Sequence, residues 1–503
     1  MINICKNLIL NSVCNTLNYY LFCYNNNRCN LNIRKISYKM IKFDYTNVGQ
    51  DVVGYDNGID IDFEIVNYSE KITEIIRYLF SQNENKDFGF NDFNFVNEQI
   101  LSILEYAKMV RGKFETIAVI GSADSLSCIQ ALFQALLMPY WNSLDSDERN
   151  NFPKIDLISN IDPDEINGLS SIRNLKKTLI ITVSAKEPTP EMMSVFMLAK
   201  KKLEDEIGEN YRMHMVVCAG FGAGVLKQLA NQEGYKTFEF PSNISGIFSL
   251  ISPCTLLPLA LLGIDIQEFF AGIQDSFNNM KNEDIRQNES AKTALIHYLL
   301  YSQKGKNFFV FMPYSSRLKS FSDWCCQIKS NILAQACDKN GKNVEIGQIP
   351  YNALGCTDQY TLLKMFNQGL NNKVINIIKV ETFDTDSIVP NFFDYTAAGY
   401  LGGKSLAELM NAEVNAAKMT LVDNQRPNIT ITLSKVFPYE LGQFMAWYIG
   451  VILIQACLYN LNPFERSDSD MLLNYIYAQM GRYGYEATYQ EIQNKLKKEI
   501  IMT

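Results

Sequence analysis

Short runs of β-branched residues alternate with helical patterns along most of this 503-residue chain. The strand-like segments are ETIAVIG, KIDLISN, KTLIITVS, HMVVCAG and KTFEF, and FFVFMP, KVINIIKVE and NITITLS resume the pattern after a long helical stretch. Strands that alternate with helices pair in parallel, and the helices cover both faces of the sheet. The sequence therefore predicts an α/β fold with two three-layer α/β/α sandwich domains on parallel sheets, plus helical segments at both ends.

The pattern divides the chain into five parts. Residues 1–39 form an atypical extension, and residues 40–112 form a helical N-terminal segment. Residues 113–290 make the first α/β domain, and residues 291–461 make the second. Residues 462–503 form a C-terminal helical segment.

The N-terminal extension differs from the rest of the chain in composition. It is rich in asparagine and holds four of the 12 cysteines. Its apolar runs are too short and too interrupted for a membrane-spanning helix, and no small-residue cleavage site follows them. Met40 then begins MIKFDYTNVGQDVVG, which is typical of the start of a globular domain. We expect residues 1–39 to be a disordered tail, or the product of an upstream start that is not used.

Charge and cysteine usage exclude two classes of partner. The formal net charge of −8 argues against nucleic acid, because no basic face is present to neutralise a phosphate backbone. The cysteines have no C-x-x-C spacing and the chain has only 2 histidines, so we predict no metal site and no cofactor. We interpret His297, on an apolar helical face, and His214, in a strand, as core residues. Reduced core cysteines indicate a cytoplasmic protein.

One apolar stretch near the C-terminus, FMAWYIGVILIQACLYNL, resembles a membrane span in composition. Gln443 precedes this stretch and Gln455 lies within it, and basic flanking residues are lacking. The sequence favours a buried core helix and no membrane contact.

The segment from Thr178 to Pro190 has the form of a ligand-binding loop. Thr178 to Val183 is a predicted strand, and Thr189 is a predicted N-cap with Pro190 at the first helical position. Such strand-to-helix loops bind phosphate through backbone N–H groups and the helix dipole. Glu187 adds a negative charge here and Pro188 has no N–H, so both residues oppose a phosphate.

Several segments together resemble the bacterial type of glucose-6-phosphate isomerase. They are, in the order of the family, SNIDPDEI, GIFSLISPCTLLPLALLGIDIQE, FMPYSSRLKSFSDW, GQIPYNALGCTDQY, GGKSLAELMNAE, RPNITITL and LNPFE. The resemblance runs from about Met40 to Glu491. It implies two sugar-isomerase (SIS) type domains, a homodimer with active sites at the subunit interface, and the interconversion of glucose 6-phosphate and fructose 6-phosphate in glycolysis and gluconeogenesis.

The resemblance also identifies the positions that would bind phosphate. The family pattern S-K-S-G-[ST]-T matches Ser184-Ala185-Lys186-Glu187-Pro188-Thr189, which keeps only the two end hydroxyls. The glycine-rich turn G-I-G-G-S matches residues 121–125, where Asp124 brings a second carboxylate. The remnants of the substrate site are Gly121, Ser122, Ser184 and Thr189.

The catalytic base of the family is a glutamate that carries a proton between C1 and C2. The family segment W-Y-R-Q-L-W-A-E-S-L-G-K aligns without a gap to residues 324–335, which places that glutamate on Asn331 and the final lysine on Gln335. Asparagine accepts no proton near neutral pH. A shifted register would bring Asp338 to this position, but it needs an insertion.

Three further family positions are also substituted. The ring-opening histidine of T-D-Q-H matches Tyr360, whose ordinary pKa of about 10 suits it poorly to proton transfer. The arginine of G-G-R-F-S matches Ile247, and the lysine near the N-P-F-D-Q-P-G motif matches Leu473, with Arg466 at a preceding glutamine. The sequence therefore predicts that no catalytic group of the family is intact.

Three functions are compatible with this pattern. The first is a catalytically degenerate family member that pairs with itself or with an active paralogue. The second is an isomerase that uses Asp338, Lys186 and Arg466 in new roles, or one with a changed substrate. The third is a regulatory module that binds a sugar phosphate, and Glu187 and Pro188 count against it.

Overall fold

The computed structural model describes residues 41–81, 89, 93–221, 224–241, 243–244, 246–392, 396–464 and 471–502. The side chains of residues 169–172, 247, 396 and 497–502 are outside this description. The predictions for residues 1–39 and for Arg466 also lie outside the described residues.

Ten strands form two sheets within the described part of the chain. The first sheet has the order β3-β2-β4-β5-β6 and the second has the order β1-β10-β9-β7-β8. The strands are β1 Lys42–Asp44, β2 Thr116–Ile120, β3 Lys154–Ile158, β4 Thr178–Ser184, β5 Met215–Gly220, β6 Lys236–Phe240, β7 Phe308–Pro313, β8 Ile349–Asn352, β9 Lys373–Thr382 and β10 Asn428–Lys435.

Helices connect these strands and cover the sheets. The α-helices are α1 Gln50–Val53, α2 Ile61–Ser81, α3 Phe93–Val110, α4 Ala123–Leu136, α5 Pro163–Ile172, α6 Pro190–Ile207, α7 Gly224–Glu233, α8 Pro253–Leu261, α9 Ile266–Met280, α10 Glu289–Ser302, α11 Lys319–Leu333, α12 Lys364–Gln368, α13 Thr396–Gly399, α14 Leu406–Asp423, α15 Pro438–Leu458, α16 Met471–Gln479 and α17 Glu486–Met502.

The first sheet is parallel throughout and buried on both faces. Alternate residues of β4 belong to different hydrophobic clusters, with Ile181 and Val183 on one face and Ile180 on the other. A strand buried on both sides needs the continuous run of apolar and β-branched residues that the sequence shows. The predicted α/β fold with helices on both faces of parallel sheets is confirmed.

The second sheet contains two strands that the sequence pattern did not reveal, β1 and β8. β1 pairs antiparallel with β10, through Lys42 opposite Thr432 and Asp44 opposite Thr430, whereas the other strand pairs are parallel. The segment predicted as helical at residues 40–112 thus also supplies an edge strand to the second sheet. The boundaries that we assigned to the five parts of the chain remain a proposal.

The apolar helix α15 lies in the centre of the protein. It is the one helix in the described residues that is long and apolar enough to cross a membrane, and 94% of its most apolar window is buried inside the protein. The structure thus places it as the core helix that the sequence favours. Its neighbour α9 crosses it at two glycines, Gly272 and Gly442, where an added Cβ would overlap a backbone carbonyl of the facing helix.

Candidate functional site

The turn from β2 to α4 forms one wall of the candidate site. Gly121 follows the strand, and Ser122 occupies the N-cap position of α4 in an extended conformation. The Ser122 hydroxyl hydrogen bonds the Ser125 hydroxyl at 2.9 Å and does not cap the helix. The first backbone N–H groups of α4 therefore receive no hydrogen bond from the Ser122 side chain.

The turn from β4 to α6 forms the facing wall. Thr189 caps α6 as predicted, because its hydroxyl accepts a hydrogen bond from the Met192 N–H at 3.4 Å, and Pro190 is the first helical residue. Ser184 is buried, and its hydroxyl donates to the backbone oxygen of Lys186 at 2.9 Å. Ser184 therefore stabilises the loop from within.

Between the two turns lies a cavity of about 210 Å³, which we call the edge cavity. Ser159 and Asn160 follow β3 and contribute the polar groups that sequence reasoning missed. Ile158 pairs with Ile120, so the ends of β2 and β3 are adjacent, and this register could have indicated both residues. The polar and backbone lining consists of Gly121, Ser122, Ser159, Asn160, Thr189 and Glu191.

The charge of the edge cavity is wrong for a phosphate. Glu191 lines it, and of the described residues that line it, none is lysine or arginine. Asp124 is exposed in the first turn of α4, beside the cavity. The Glu187 carboxylate is turned away and lies against Gly224, the first residue of α7. Carboxylates at these helix starts offset the positive ends of the helix dipoles that would otherwise attract an anion.

The position predicted to match the family base is Asn331, which has no carboxylate. Asn331 is exposed in the last turn of α11, and Gln335, predicted to match the family lysine, donates to the backbone oxygens of Ile332 at 2.9 Å and Asn462 at 2.8 Å. These bonds fasten the end of α11 to the segment after α15. The Gln335 side chain thus has a structural role at this position.

Asp338, the base that a shifted register would supply, belongs to a turn. Its carboxylate accepts hydrogen bonds from the backbone N–H groups of Asn340 at 2.9 Å and Lys342 at 3.0 Å, and from the Asn460 side chain at 2.9 Å. The backbone N–H of Lys342, followed by the other donors, lowers the pKa of Asp338. A carboxylate held by three donors is a weakened base.

Tyr360 lies in a π-helical turn, Gln359–Leu363, and 78% of its surface is exposed. Under this turn, the buried Gln359 accepts a hydrogen bond from the Tyr314 hydroxyl at 3.2 Å and donates to the Glu413 carboxylate. π-Helical turns are frequent at functional sites. The polar groups under this turn are hydrogen bonded to each other, and the side chain predicted to match the ring-opening histidine is a solvent-facing phenol.

Leu473 and Ile247 are the remaining predicted positions, and Leu473 is not part of the described lining of the edge cavity. Leu473 is half-buried in α16, and Ile247 lies in a short 3₁₀ helix, Gly246–Ile251, with its side chain outside the described part. Of the residues predicted from the family, the structure brings Gly121, Ser122 and Thr189 together around the cavity. Asn331, Tyr360, Leu473 and Ser184 are not part of its lining.

The two histidines occupy structural positions. His297 is fully buried against Phe309 with ring centroids 4.6 Å apart, but neither ring nitrogen has a partner at hydrogen-bond geometry in the described chain, although Asn376 lies beside the ring. Burial holds the pKa of His297 well below its usual range. His214 ends a 3₁₀ helix, Gly208–His214, one residue before β5, so its prediction as a strand residue is wrong. No group of three or more metal-ligating side chains occurs among the described residues.

Comparisons with solved structures match this architecture. The structure is similar to a hypothetical protein from Thermus thermophilus, with a TM-score of 0.77, 24% identity and coverage of 88% of this chain and 100% of that one. It is also similar to a glucose-6-phosphate isomerase from Chlamydia trachomatis, with a TM-score of 0.68, 19% identity and coverage of 80% and 77%. The two helix-covered sheets thus define the class of α/β proteins with the sugar isomerase fold.

Sequence comparisons narrow this class to one family. The family model described as phosphoglucose isomerase matches residues 131–471. A glucose-6-phosphate isomerase from Carboxydothermus hydrogenoformans is 30% identical over 461 residues, which cover 91% of this chain and 98% of that enzyme. A probable glucose-6-phosphate isomerase from Methanococcus maripaludis is 29% identical over 430 residues, with coverage of 85% and 91%. The chain belongs to the phosphoglucose isomerase family.

Proposed function

We propose that this chain is a catalytically degenerate member of the phosphoglucose isomerase family that acts by binding. The observation that carries the proposal is the exposed amide of Asn331, at the position that we match to the carboxylate base of the family. Loss of a positioned base typically lowers a rate by about 10²–10⁴. Tyr360 and Leu473, at two further aligned positions, supply neither the imidazole nor the ammonium that the family chemistry requires.

The structure gives little support to a relocated active site. Asp338 is the alternative base, but its oxygens are engaged in a turn and its pKa is lowered. A general base works best with a pKa near the operating pH, which calls for a shift in the opposite direction. An active or altered-substrate isomerase remains the alternative that an activity assay can distinguish.

A sugar-phosphate sensor is the less favoured alternative. It requires donors and positive charge at the turn between β4 and α6, where the described cavity lining supplies Glu191 and no lysine or arginine. A carboxylate near a helix N-terminus offsets the positive end of the dipole and repels a second anion. The charge of the site therefore favours a ligand without a phosphate group.

We also propose that the protein is cytoplasmic and assembles as a homodimer or with an active paralogue. The C-terminal helix pair supports an intersubunit role, since Met471, Leu472 and Met480 are 64%, 74% and 76% exposed. Exposed apolar residues that cluster on one element mark interaction surfaces. Sedimentation of the purified chain would give its stoichiometry.

The decisive experiment is the conversion of fructose 6-phosphate to glucose 6-phosphate by the purified chain beginning at Met40. We expect no rate above background. The Carboxydothermus hydrogenoformans enzyme, assayed alongside, provides the positive control. A clear rate that survives careful purification would overturn the proposal.

Two variants locate the chemistry if a rate is found. Asn331→Glu restores a carboxylate at the predicted position of the base. We expect this variant to show no more activity than the unaltered chain, because Tyr360 and Leu473 are also substituted. Asp338→Asn removes the relocated base and should abolish any rate that depends on it. A rate in the unaltered chain that Asp338→Asn eliminates would establish the active-isomerase alternative.

A further inference from the structure

A second cavity adjoins the edge cavity, on the face of the first sheet that α5 and α6 cover. It has a volume of about 80 Å³ and lies between the sheet and the helices α5 and α6. We call it the inner cavity. Ile158 and Val195 line both cavities, so the two share a wall, and the inner cavity continues along α6 toward the amino ends of the strands.

The two cavities differ sharply in polarity. The edge cavity has hydroxyl, amide and carboxylate groups around it, whereas the inner cavity is lined mainly by aliphatic side chains. Two small residues, Ala118 on β2 and Ala199 on α6, leave the space that larger side chains would fill. The aliphatic walls include Ile120, Ile158, Ile166, Ile180 and Leu198.

An ion pair closes the far end of the inner cavity. Arg173 binds Asp156 in a two-point contact, with Nε to Oδ2 at 2.6 Å and Nη2 to Oδ1 at 2.7 Å. The two side chains are only 18% and 9% exposed. The guanidinium and carboxylate satisfy each other, so this pair offers a ligand no free charge. The half-buried Lys202 of α6 is the other charged residue in the described lining of this cavity.

We infer that the two cavities together bind a small amphiphile with an uncharged, hydroxyl-bearing head and a short aliphatic tail. The head lies in the edge cavity, where Ser122, Asn160 and Thr189 can exchange hydrogen bonds with hydroxyl groups. The tail passes Ile158 and Val195 into the inner cavity. Burial of the tail against these aliphatic side chains removes apolar surface from water, which favours binding.

Size and charge limit the ligand further. Both cavities are smaller than the sites that hold drug-sized molecules, so the head is no larger than about one sugar ring and the tail has a few carbon atoms. Glu191 disfavours an anionic head by like-charge repulsion. The inference rests on the proposed function in one respect, namely that this turn no longer takes a phosphate.

The test is calorimetric titration of the full-length chain with three probes: n-hexyl β-glucoside below its micelle concentration, methyl β-glucoside and glucose 6-phosphate. We expect hexyl glucoside to bind at least tenfold more tightly than methyl glucoside, and glucose 6-phosphate to bind more weakly than either. Equal affinity of the two glucosides, no glucoside binding, or tighter binding of glucose 6-phosphate would each overturn the inference.

A matched pair of variants shows where the tail binds. Ala199→Leu fills the inner cavity, and it should remove the tenfold advantage of the hexyl tail while leaving the affinity for methyl glucoside unchanged. Ala412→Leu, on the exposed face of α14, should leave both affinities unchanged. Thermal unfolding of each variant confirms that it is folded, since filling a cavity should not lower the melting temperature.

If Ala199→Leu retains the tail advantage in a folded protein, the tail binds elsewhere and the inference fails. This outcome is separate from failure of the proposed function. An isomerase rate would refute degeneracy whatever the glucosides do, and the titrations measure ligand class without any turnover.

Discussion

Two buried lysines in the second half of the chain have very different partners. Lys306 makes three hydrogen bonds, to Asn57 Oδ1 at 3.0 Å and to Asn371 O and Oδ1 at 2.7 and 2.9 Å. Lys329 is fully buried in α11, and among the described residues its Nζ hydrogen bonds only Gln455 Oε1, at 2.8 Å, above the Phe309 ring. Burial lowers the pKa of Lys329 to about 7.

The depressed pKa of Lys329 predicts a pH-dependent gain on its removal. The unfolded chain holds this proton up to pH 10.5 and the folded chain only to about 7, so stability rises with pH across that window. Below pH 7 the full cost of a buried charge is present. We therefore expect Lys329→Met to raise the free energy of unfolding by about 1–3 kcal/mol at pH 6. By pH 10 the gain should vanish, because only the lost hydrogen bond remains. Urea unfolding at both pH values measures the difference.

Lys306→Met is the matched comparison. Burial lowers the pKa of Lys306 too, to about 8, so part of the cost of a buried charge is present here as well. Its removal leaves Asn57 and Asn371 oxygens without their donor, and we expect this loss to outweigh the relief and to lower the free energy of unfolding by about 1–3 kcal/mol at pH 6. A gain from Lys329→Met that stays constant between pH 6 and pH 10 would contradict the assignment of the effect to a buried charge.

At the scale of elements, the crossing of α9 and α15 depends on two glycines. A Cβ on Gly272 would overlap the Tyr439 carbonyl, and a Cβ on Gly442 would overlap the Phe269 carbonyl. Backbone atoms cannot move aside as a flexible side chain can. We expect Gly272→Ala and Gly442→Ala each to lower the free energy of unfolding by about 2–4 kcal/mol, despite the better helix propensity of alanine.

Gly168→Ala in α5 is the control for propensity alone. An added Cβ there meets nothing within 4 Å, so this variant should raise the free energy of unfolding by about 0.5–1 kcal/mol. Chemical unfolding of all three variants checks the contrast. Stabilisation by Gly272→Ala or Gly442→Ala would show that the two helices do not approach this closely.

Elements were predictable from sequence where their causes are local. The start of α6 follows from Thr189 and Pro190, and β4 follows from its β-branched run, so both were predicted correctly. β1 and β8 are three and four residues long and form through pairing with distant strands, which no local pattern records. Sequence could propose Gly121, Ser122 and Thr189 for the site through the family resemblance.

The rest of the candidate site depends on register and packing. Ser159 and Asn160 reach the edge cavity because β3 lies beside β2, a choice of strand order that the segment itself does not encode. Ala118 of the sheet and Ala199 of α6 both line the inner cavity, where larger side chains would fill it. Neither alanine is distinguishable in sequence from an ordinary small core residue.

At the scale of the whole molecule, the first described residues close the edge of the second sheet. β1 covers β10, and two ion pairs fix its ends, from Lys42 to Glu381 at 2.7 Å and from Asp44 to Lys418 at 2.9 Å. Between them the Phe43 ring packs on Trp447 of the core helix α15, with centroids 4.6 Å apart. The strand thus joins the N-terminal segment to the sheet and the core at once.

Removal of this strand should weaken and expose the second sheet. A chain that begins at Thr46 should unfold at a lower urea concentration than the chain beginning at Met40, by about 2–4 kcal/mol in the free energy of unfolding, since the Phe43 contacts and one ladder of hydrogen bonds are lost. The bare edge of β10 should also cause association that increases with protein concentration, because unpaired strand edges bind other strands. Light scattering over a concentration series measures this association. Phe43→Ala keeps the ladder and loses only the ring, so it should be destabilised without the added association. Equal midpoints and equal scattering for the two chain lengths would show that β1 is dispensable to the second sheet.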